Sequence, residues 1–198
     1  MKTHLIPRTL ALVAAMIAMA GPARASFHLY DIQEVFSNGD GTVQFIELFT
    51  TFGSQQFLTG HTLTFQINST TQSSVVLSDL PGDTTNKTFL IGTATLATLY
   101  AVTPDFLIPT NFLTAGANNF ISFAEGTDRV NLSLLPTNGT SSLNGQIGNS
   151  AETSAATSVN AQATPKNFAG QTTTIPETTA AALGLLALGM MVLLRKRN

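Results

Sequence analysis

Short runs of alternating apolar and polar residues fill the chain from Ser26 to about Gly148, and clusters of turn residues separate them. The first two runs, 29–36 and 42–49, are rich in β-branched and aromatic residues and flank a turn cluster at 37–41, so they predict a β-hairpin. Many short strands without helical periodicity predict an all-β fold, an antiparallel sandwich or barrel. Further strands are predicted at 62–67, 74–77, 88–91, 120–123 and 130–134.

Two segments interrupt the strand pattern. Residues 94–102 predict a helical turn, and residues 104–113 are apolar but bracketed by prolines, which excludes a central strand. The second segment either packs over one end of the sandwich or presents Phe106 and Phe112 as an exposed recognition patch. Packing is the favoured interpretation.

The turn between the first two strands has some features of a calcium loop. Asn38 and Asp40 are oxygen-bearing residues in an Asn-Gly-Asp-Gly sequence, but the leading aspartate and the closing glutamate of a calcium loop are missing. The sequence is more typical of a hairpin turn, and that interpretation is favoured. Asn38 and Asp40 therefore remain weak candidates for a calcium site.

The hairpin register decides where its acidic residues lie. If Phe36 pairs with Thr42, Asp31 falls opposite Glu47, an unfavourable arrangement unless the two are exposed or bridged by a cation. Asp31 and Glu47 are thus two further weak calcium candidates, although Glu47 is better interpreted as an acceptor for buried backbone donors. A hydrolase using Glu34, Asp31 or Glu47 is disfavoured, because no cleft signature accompanies these carboxylates.

The opening strands resemble a known domain type. Residues 32–35 (Ile-Gln-Glu-Val), 44–48 (Gln-Phe-Ile-Glu-Leu) and 58–63 (Leu-Thr-Gly-His-Thr-Leu) are similar to the start of lamin-tail-type domains, with His61 where those domains have tryptophan. The resemblance implies an immunoglobulin-like β-sandwich. It also implies an accessory interaction module, with no active site to carry over.

Both ends of the chain carry export features. Lys2 and Arg8 precede an apolar stretch at 9–20, and the sequence Ala23-Arg24-Ala25 before Ser26 is typical of signal-peptide cleavage, which predicts a signal peptide at 1–25. Near the other end, the apolar run 180–194 predicts a short transmembrane helix. The basic residues 195–197 that follow it favour the cytoplasmic side, so the preceding domain is expected outside the cytoplasm.

The residues before this run resemble envelope sorting signals. Ile175, Pro176, Glu177 and Thr178 resemble the PEP-CTERM signal of Gram-negative bacteria, with Thr178 where a second proline is usual, and also the LPxTG sortase signal, with Thr179 in place of glycine. The PEP-CTERM interpretation is favoured because of the short signal peptide. It implies processing near Pro176 by an exosortase-type enzyme, or a sortase-type enzyme in the alternative, and delivery to an envelope or exopolysaccharide setting.

A stretch rich in Ser, Thr, Ala and Gln at 149–174 separates the β domain, 26–148, from the sorting signal, 175–198. It predicts a flexible stalk. Phe168 is its one large aromatic residue, and it offers an alternative in which the end of the stretch docks back on the sandwich as a last strand.

Composition narrows the chemistry further. The chain has no cysteine, which excludes disulfides, thiolate metal sites and lipoprotein anchoring. The predicted exported part has a net charge of −8, from all 11 acidic residues against Lys87, Arg129 and Lys166, so nucleic acid is not an expected partner. No catalytic motif or cofactor site is predicted. The sequence favours a non-enzymatic envelope or matrix module with exopolysaccharide as a candidate partner; the alternative is a calcium-stabilised adhesin anchored by a sortase.

Overall fold

The structure is a computed structural model that describes residues 29–126, 128–145 and 158–176, and within them ten strands form two sheets. A single short helix, α1 (Thr95–Tyr100), and a 3₁₀ turn (Ala124–Gly126) complete the regular structure of the described part. The strands are β1 (Asp31–Ser37), β2 (Gln44–Thr50), β3 (Thr62–Ile67), β4 (Thr70–Val76), β5 (Lys87–Gly92), β6 (Phe106–Leu107), β7 (Asn119–Phe123), β8 (Asp128–Asn131), β9 (Ser142–Asn144) and β10 (Ser158–Asn160).

The strand order is β10-β9-β1-β2-β5-β6 in the six-stranded sheet and β4-β3-β7-β8 in the four-stranded sheet. Neighbouring strands are antiparallel except for β5 and β6, which are parallel. The predicted all-β sandwich is confirmed at this level, and each predicted strand overlaps an observed one.

The hairpin register differs from the predicted one. Phe36 pairs with Phe45, not with Thr42, and a bulge at Gln33 shifts the register again further along β1. The predicted pairing was wrong because the loop is longer than the turn cluster suggested: the side-chain oxygen of Asn38 accepts the Val43 N–H at 3.0 Å and so starts β2 later. Asp31 consequently pairs with Phe49.

An inner apolar cluster fills the space between the two sheets. Strand residues with a period of two supply most of it, because alternate side chains of a half-buried strand point to one face. Tyr30 and Phe89 meet edge to face there, with ring centroids 4.8 Å apart. Fully buried members of this inner cluster include Ile32, Val35, Ile46, Leu48, Leu58, Leu63, Phe89, Ile91, Ile121, Phe123 and Leu143.

A second, outer apolar cluster lies on the opposite face of the six-stranded sheet. The rings of Phe36 and Phe45 stack there, with centroids 5.3 Å apart. Leu96 of α1 and two residues near the end of the described chain, Ala163 and Ile175, cover them and are completely buried. The six-stranded sheet is therefore buried on both faces over part of its area.

Residues 163–175 form a hairpin that covers this outer face, hereafter the C-terminal hairpin. Its two arms are joined by hydrogen bonds from the Ile175 N–H to the Ala163 carbonyl, at 2.8 Å, and from the Asn167 N–H to the Gln171 carbonyl, at 3.0 Å. Phe168, at its tip, packs against the inner cluster with 9% of its surface exposed. This hairpin and β10 lie against the six-stranded sheet, and buried apolar side chains attach the hairpin there. Phe168 docks on the sandwich, but in the turn of the hairpin and not in a last strand.

The two irregular segments behave as the favoured interpretations predicted. The helix α1 lies within 94–102, and the segment 104–113 packs on the sandwich, with Phe112 buried and β6 as an edge strand beside β5. Among the described residues no helix is long and apolar enough to cross a membrane. The predicted signal peptide, 1–25, and the predicted span, 180–194, lie outside the described residues.

Candidate functional site

Two glutamates face each other across the β1–β2 pair, on the face that carries the outer cluster. Glu34 pairs directly with Glu47, and each is only 3% exposed. The loop sets this pairing, because Glu34 and Glu47 keep the register of Ser37 and Gln44 beside the loop, and the bulge at Gln33 shifts only the pairs beyond them. The structure thus brings together two of the three carboxylates that the sequence analysis considered. Asp31 instead pairs with Phe49.

Glu34 is held by donors from two other segments. Its Oε1 atom accepts hydrogen bonds from the Ser142 hydroxyl of β9 at 2.5 Å and from the Thr164 N–H of the C-terminal hairpin at 3.0 Å. Its Oε2 atom accepts the Thr164 hydroxyl at 3.3 Å. Burial raises the pKa of Glu34, and these donors oppose the rise because they favour the ionised carboxylate.

Glu47 has fewer donors and a more strongly altered pKa. Its Oε2 atom accepts the Lys166 N–H at 2.6 Å. Burial, followed by the negative charge of Glu34, raises the pKa of Glu47 to about 8. The protonated form of Glu47 is therefore favoured, and the two carboxyl groups titrate as a coupled pair.

A third carboxylate continues the same pattern. Asp105 lies before β6, and its Oδ2 atom accepts the Leu90 N–H at 2.8 Å and the Phe168 N–H at 2.9 Å. The acceptors Glu34, Glu47 and Asp105 therefore take the N–H groups of residues 164, 166 and 168. Alternate N–H groups of an extended segment point the same way, so these three carboxylates take the place of a neighbouring strand's carbonyls.

Asp128 of β8 has the same role toward β1. Its Oδ2 atom accepts the Ile32 N–H at 2.5 Å and its Oδ1 atom accepts the N–H of Arg129 at 2.7 Å. Burial raises the pKa of Asp128 to about 6. Buried carboxylates in this protein thus connect main-chain segments, as the sequence suggested for Glu47 alone.

A cleft of about 280 Å³ opens between the six-stranded sheet and the C-terminal hairpin. The Oε1 atom of Gln33 is buried there and has no hydrogen-bond partner among the described residues. Glu47 contributes its carboxyl group, and Lys166 contributes the one cation of the described lining. The lining residues are Gln33, Glu47, Phe49, Thr88, Thr164, Lys166 and Thr172.

The weak calcium candidates do not converge. The Asp40 carboxylate accepts hydrogen bonds from the N–H and the hydroxyl of Thr42, at 3.0 and 2.6 Å, which lower the pKa of Asp40. Asn38 closes the same turn through Val43. In the part of the chain that the structure describes, no group of three or more metal-ligating side chains occurs.

The first two residues of the predicted sorting signal, Ile175 and Pro176, are the last residues that the structure describes. Ile175 is completely buried in the outer cluster, whereas Pro176 is exposed. Glu177, Thr178 and the predicted cleavage residues Ala23, Ala25 and Ser26 lie outside the described residues.

Sequence reasoning missed the cleft and the contact between Glu34 and Glu47. The Glu47 partner depends on the register that the loop between Ser37 and Gln44 sets, and the turn cluster at 37–41 did not indicate the length of that loop. The hairpin that forms the cleft wall was signalled only by Phe168, a single aromatic residue in a polar stretch.

The fold and the site define an all-β, two-sheet domain whose buried carboxylates hold a C-terminal hairpin. Comparison of the chain with protein-family models, with curated proteins and with solved structures gives no match.

Proposed function

We propose that this protein is an exported, C-terminally sorted, non-enzymatic module of a bacterial envelope or extracellular matrix. Its fold is proposed to be immunoglobulin-like and related to lamin-tail domains. Exopolysaccharide is the proposed partner, and an exosortase-type enzyme acting near Pro176 is the proposed processing activity.

One observation carries the proposal: the main-chain contacts of the buried carboxylates. Glu34, Glu47, Asp105 and Asp128 each accept at least one backbone N–H, and three of them accept an N–H of the C-terminal hairpin. A catalytic acid and base must keep an oxygen available to a substrate. Glu34 instead has both oxygens bonded to Thr164, which supports a structural use of the pair.

The junction between domain and tail supports C-terminal attachment. The buried side chain of Ile175 and its 2.8 Å hydrogen bond to Ala163 secure the residue immediately before Pro176. A load applied at Pro176 would therefore pass directly into the outer cluster and the six-stranded sheet. An attachment point of this kind suits a domain that is displayed by its C-terminus.

Intact mass and cell fractionation of the protein from its native host test the proposal. We expect a mature chain that begins at Ser26, ends near Pro176 to Thr178 and occurs in the envelope or the medium. Deletion of the processing enzyme should leave the uncleaved chain in the inner membrane. As a control, Thr174→Ala, at an exposed position next to the motif, should be processed normally.

A mature chain that retains Arg195–Lys196–Arg197 would contradict sorting and indicate a plain membrane anchor. A chain recovered from the cytoplasm with residues 1–25 intact would contradict export.

A further inference from the structure

The cleft between the six-stranded sheet and the C-terminal hairpin has the features of a small-ligand site. Its volume of about 280 Å³ is close to the lower limit of ligand clefts, ~300 Å³, which suits one ring-sized unit. Its floor comes from β1, β2 and β5, and its wall from both arms of the hairpin, where Lys166 pairs with Thr172. Regular strands therefore hold most of the lining in place.

The lining presents hydrogen-bonding groups that the protein itself does not use up. Gln33 Oε1 is buried without a partner among the described residues, which costs free energy unless a donor reaches it. The Thr172 hydroxyl adds a group that both donates and accepts, and the Thr88 hydroxyl, which donates to the Asn167 carbonyl at 3.4 Å, can still accept. Phe49, which is half-buried, adds the one aromatic surface of the described lining.

The cleft holds one of the few cations of an acidic domain. The described residues hold nine acidic side chains against Lys87, Arg129 and Lys166. Lys166 lines the cleft, and the raised pKa of Glu47 beside it favours the uncharged form of that carboxyl group. The Lys166 ammonium group is thus the one positive charge of the described lining, which suits a ligand with a single negative charge.

We propose that this cleft binds one carboxylate-bearing sugar unit, a uronic acid residue, of an acidic polysaccharide. Lys166 pairs with the ligand carboxylate, Gln33 and the threonine hydroxyls bond its hydroxyl groups, and Phe49 packs against the ring. This inference rests on the proposed function, because it names the polysaccharide chemistry of that partner.

The alternatives in the same size range fit less well. A phosphate or sulfate carries its charge on several oxygens and usually takes several N–H donors or an arginine fork, whereas the described lining offers one ammonium group. A neutral sugar leaves Lys166 without a counter-charge. A ligand that carries several hydroxyl groups and one carboxylate fits a lining with several polar side chains and one ammonium group.

Calorimetric titration of the purified full-length chain with trigalacturonate tests the inference, with maltotriose as the neutral probe and galacturonate as the single unit. Lys166→Met should weaken trigalacturonate binding by about tenfold or more, as expected for loss of a hydrogen bond to a charged group. Lys87→Met is the matched control, since Lys87 lies over the Phe168 ring, 5.7 Å from its centroid, and does not line the cleft. It should leave the affinity within about twofold.

The pH gives a second readout that does not depend on a variant. Glu47 faces Glu34 on β1 and Lys166 on the hairpin, while β5 presents the uncharged Thr88 and Leu90. Raising the pH from about 6 to about 9 favours the ionised form of Glu47 and adds a negative charge beside Lys166, so trigalacturonate should bind more weakly at the higher pH. Glu47→Gln should remove most of this pH dependence.

Several outcomes would overturn the inference: no trigalacturonate binding, equal binding of maltotriose, or unchanged affinity in a folded Lys166→Met variant. Galacturonate binding as tightly as the trimer would point to a soluble hydroxy acid and overturn the polymer as ligand. Each of these results leaves the sorting experiment unaffected, so failure of the inference and failure of the proposed function can be told apart.

Discussion

At the scale of single residues, the Glu34–Glu47 pair shows how neighbouring groups change the pKa of a buried carboxyl group. Two ionised carboxylates directly opposite on neighbouring strands repel each other. Here burial raises the pKa of both carboxyl groups, which favours a protonated member of the pair, and Glu34 accepts more hydrogen bonds that stabilise an ionised carboxylate. Both still hold the C-terminal hairpin through backbone N–H groups.

The first prediction concerns the pH dependence of stability. The pKa of Glu47 is raised in the folded state, from 4.5 to about 8, so its contribution to stability is complete below about pH 4.5 and is lost as the pH rises through about 8. We expect the free energy of unfolding to fall on the order of 3 kcal/mol between about pH 5 and about pH 9. Urea denaturation at these two pH values measures it.

The matched variants for this prediction are Glu47→Gln and Asp83→Asn. The amide oxygen introduced by Glu47→Gln can still accept the Lys166 N–H but carries no titratable proton, so this variant should flatten the alkaline loss. Asp83 is exposed, and its substitution should leave the loss unchanged. An equal alkaline loss in Glu47→Gln would contradict the assignment of the raised pKa to Glu47.

At the scale of elements, the C-terminal hairpin replaces a strand without lying in a sheet. Its N–H groups at 164, 166 and 168 bond to carboxylates, and its apolar residues Ala163 and Ile175 close the outer cluster. Carboxylate side chains thus accept the N–H groups that main-chain carbonyls of a neighbouring strand would accept in a sheet. The hairpin depends on distant residues for its stability.

The second prediction tests the burial of the first sorting residue. Ile175→Ala should lower the free energy of unfolding by about 2–5 kcal/mol, because it removes a fully buried side chain and leaves a cavity. Thr174→Ala, at an exposed neighbour, should change it by less than about 0.5 kcal/mol. Equal effects of the two substitutions in thermal or urea denaturation would show that the hairpin is not part of the cooperative fold.

The third prediction concerns the β1–β2 turn. Because Asn38 and Asp40 already bond to residues of their own turn, we expect millimolar calcium and an excess of chelator to give the same melting temperature. Asp40→Ala should lower the melting temperature slightly through loss of the bonds to Thr42, and by the same amount with or without calcium. A calcium-dependent rise in the melting temperature would support the adhesin alternative instead.

At the scale of the whole molecule, the six-stranded sheet separates two apolar clusters. The inner cluster lies between the sheets, and the outer one lies under α1 and the C-terminal hairpin. Phe168 belongs to the inner cluster and Ile175 to the outer one, so the last described residues join both. The domain is complete only when the hairpin has docked.

The fourth prediction follows from this arrangement. A chain that ends at residue 161 should lose cooperative unfolding, because Phe36 and Phe45 would be uncovered and Glu34 and Glu47 would lose their hairpin donors. A chain that ends at Pro176 keeps all of these contacts and should unfold in one transition. Circular dichroism during thermal denaturation compares the two, and a cooperative transition in the shorter chain would contradict the prediction.

Local pattern was enough for most strands and for α1, but not for their pairing. The strand β3 has the predicted bounds because Leu63, Phe65 and Ile67 alternate with polar residues. The partner of Glu47 was mispredicted because the longer loop shifts the register, and a shift of one residue exchanges the faces of a strand. The cleft could not be predicted, since it needs both that register and the docked hairpin.

By itself, the sequence determined the all-β class, the absence of thiol chemistry, the acidic charge and the position of most strands. These depend on composition and on neighbours in the chain. Only the tertiary structure decided that Glu34 meets Glu47, that the polar stretch near Phe168 docks, and that Ile175 is buried. These depend on contacts such as Glu34 with Thr164, 130 positions apart, and no local periodicity records a contact over that separation.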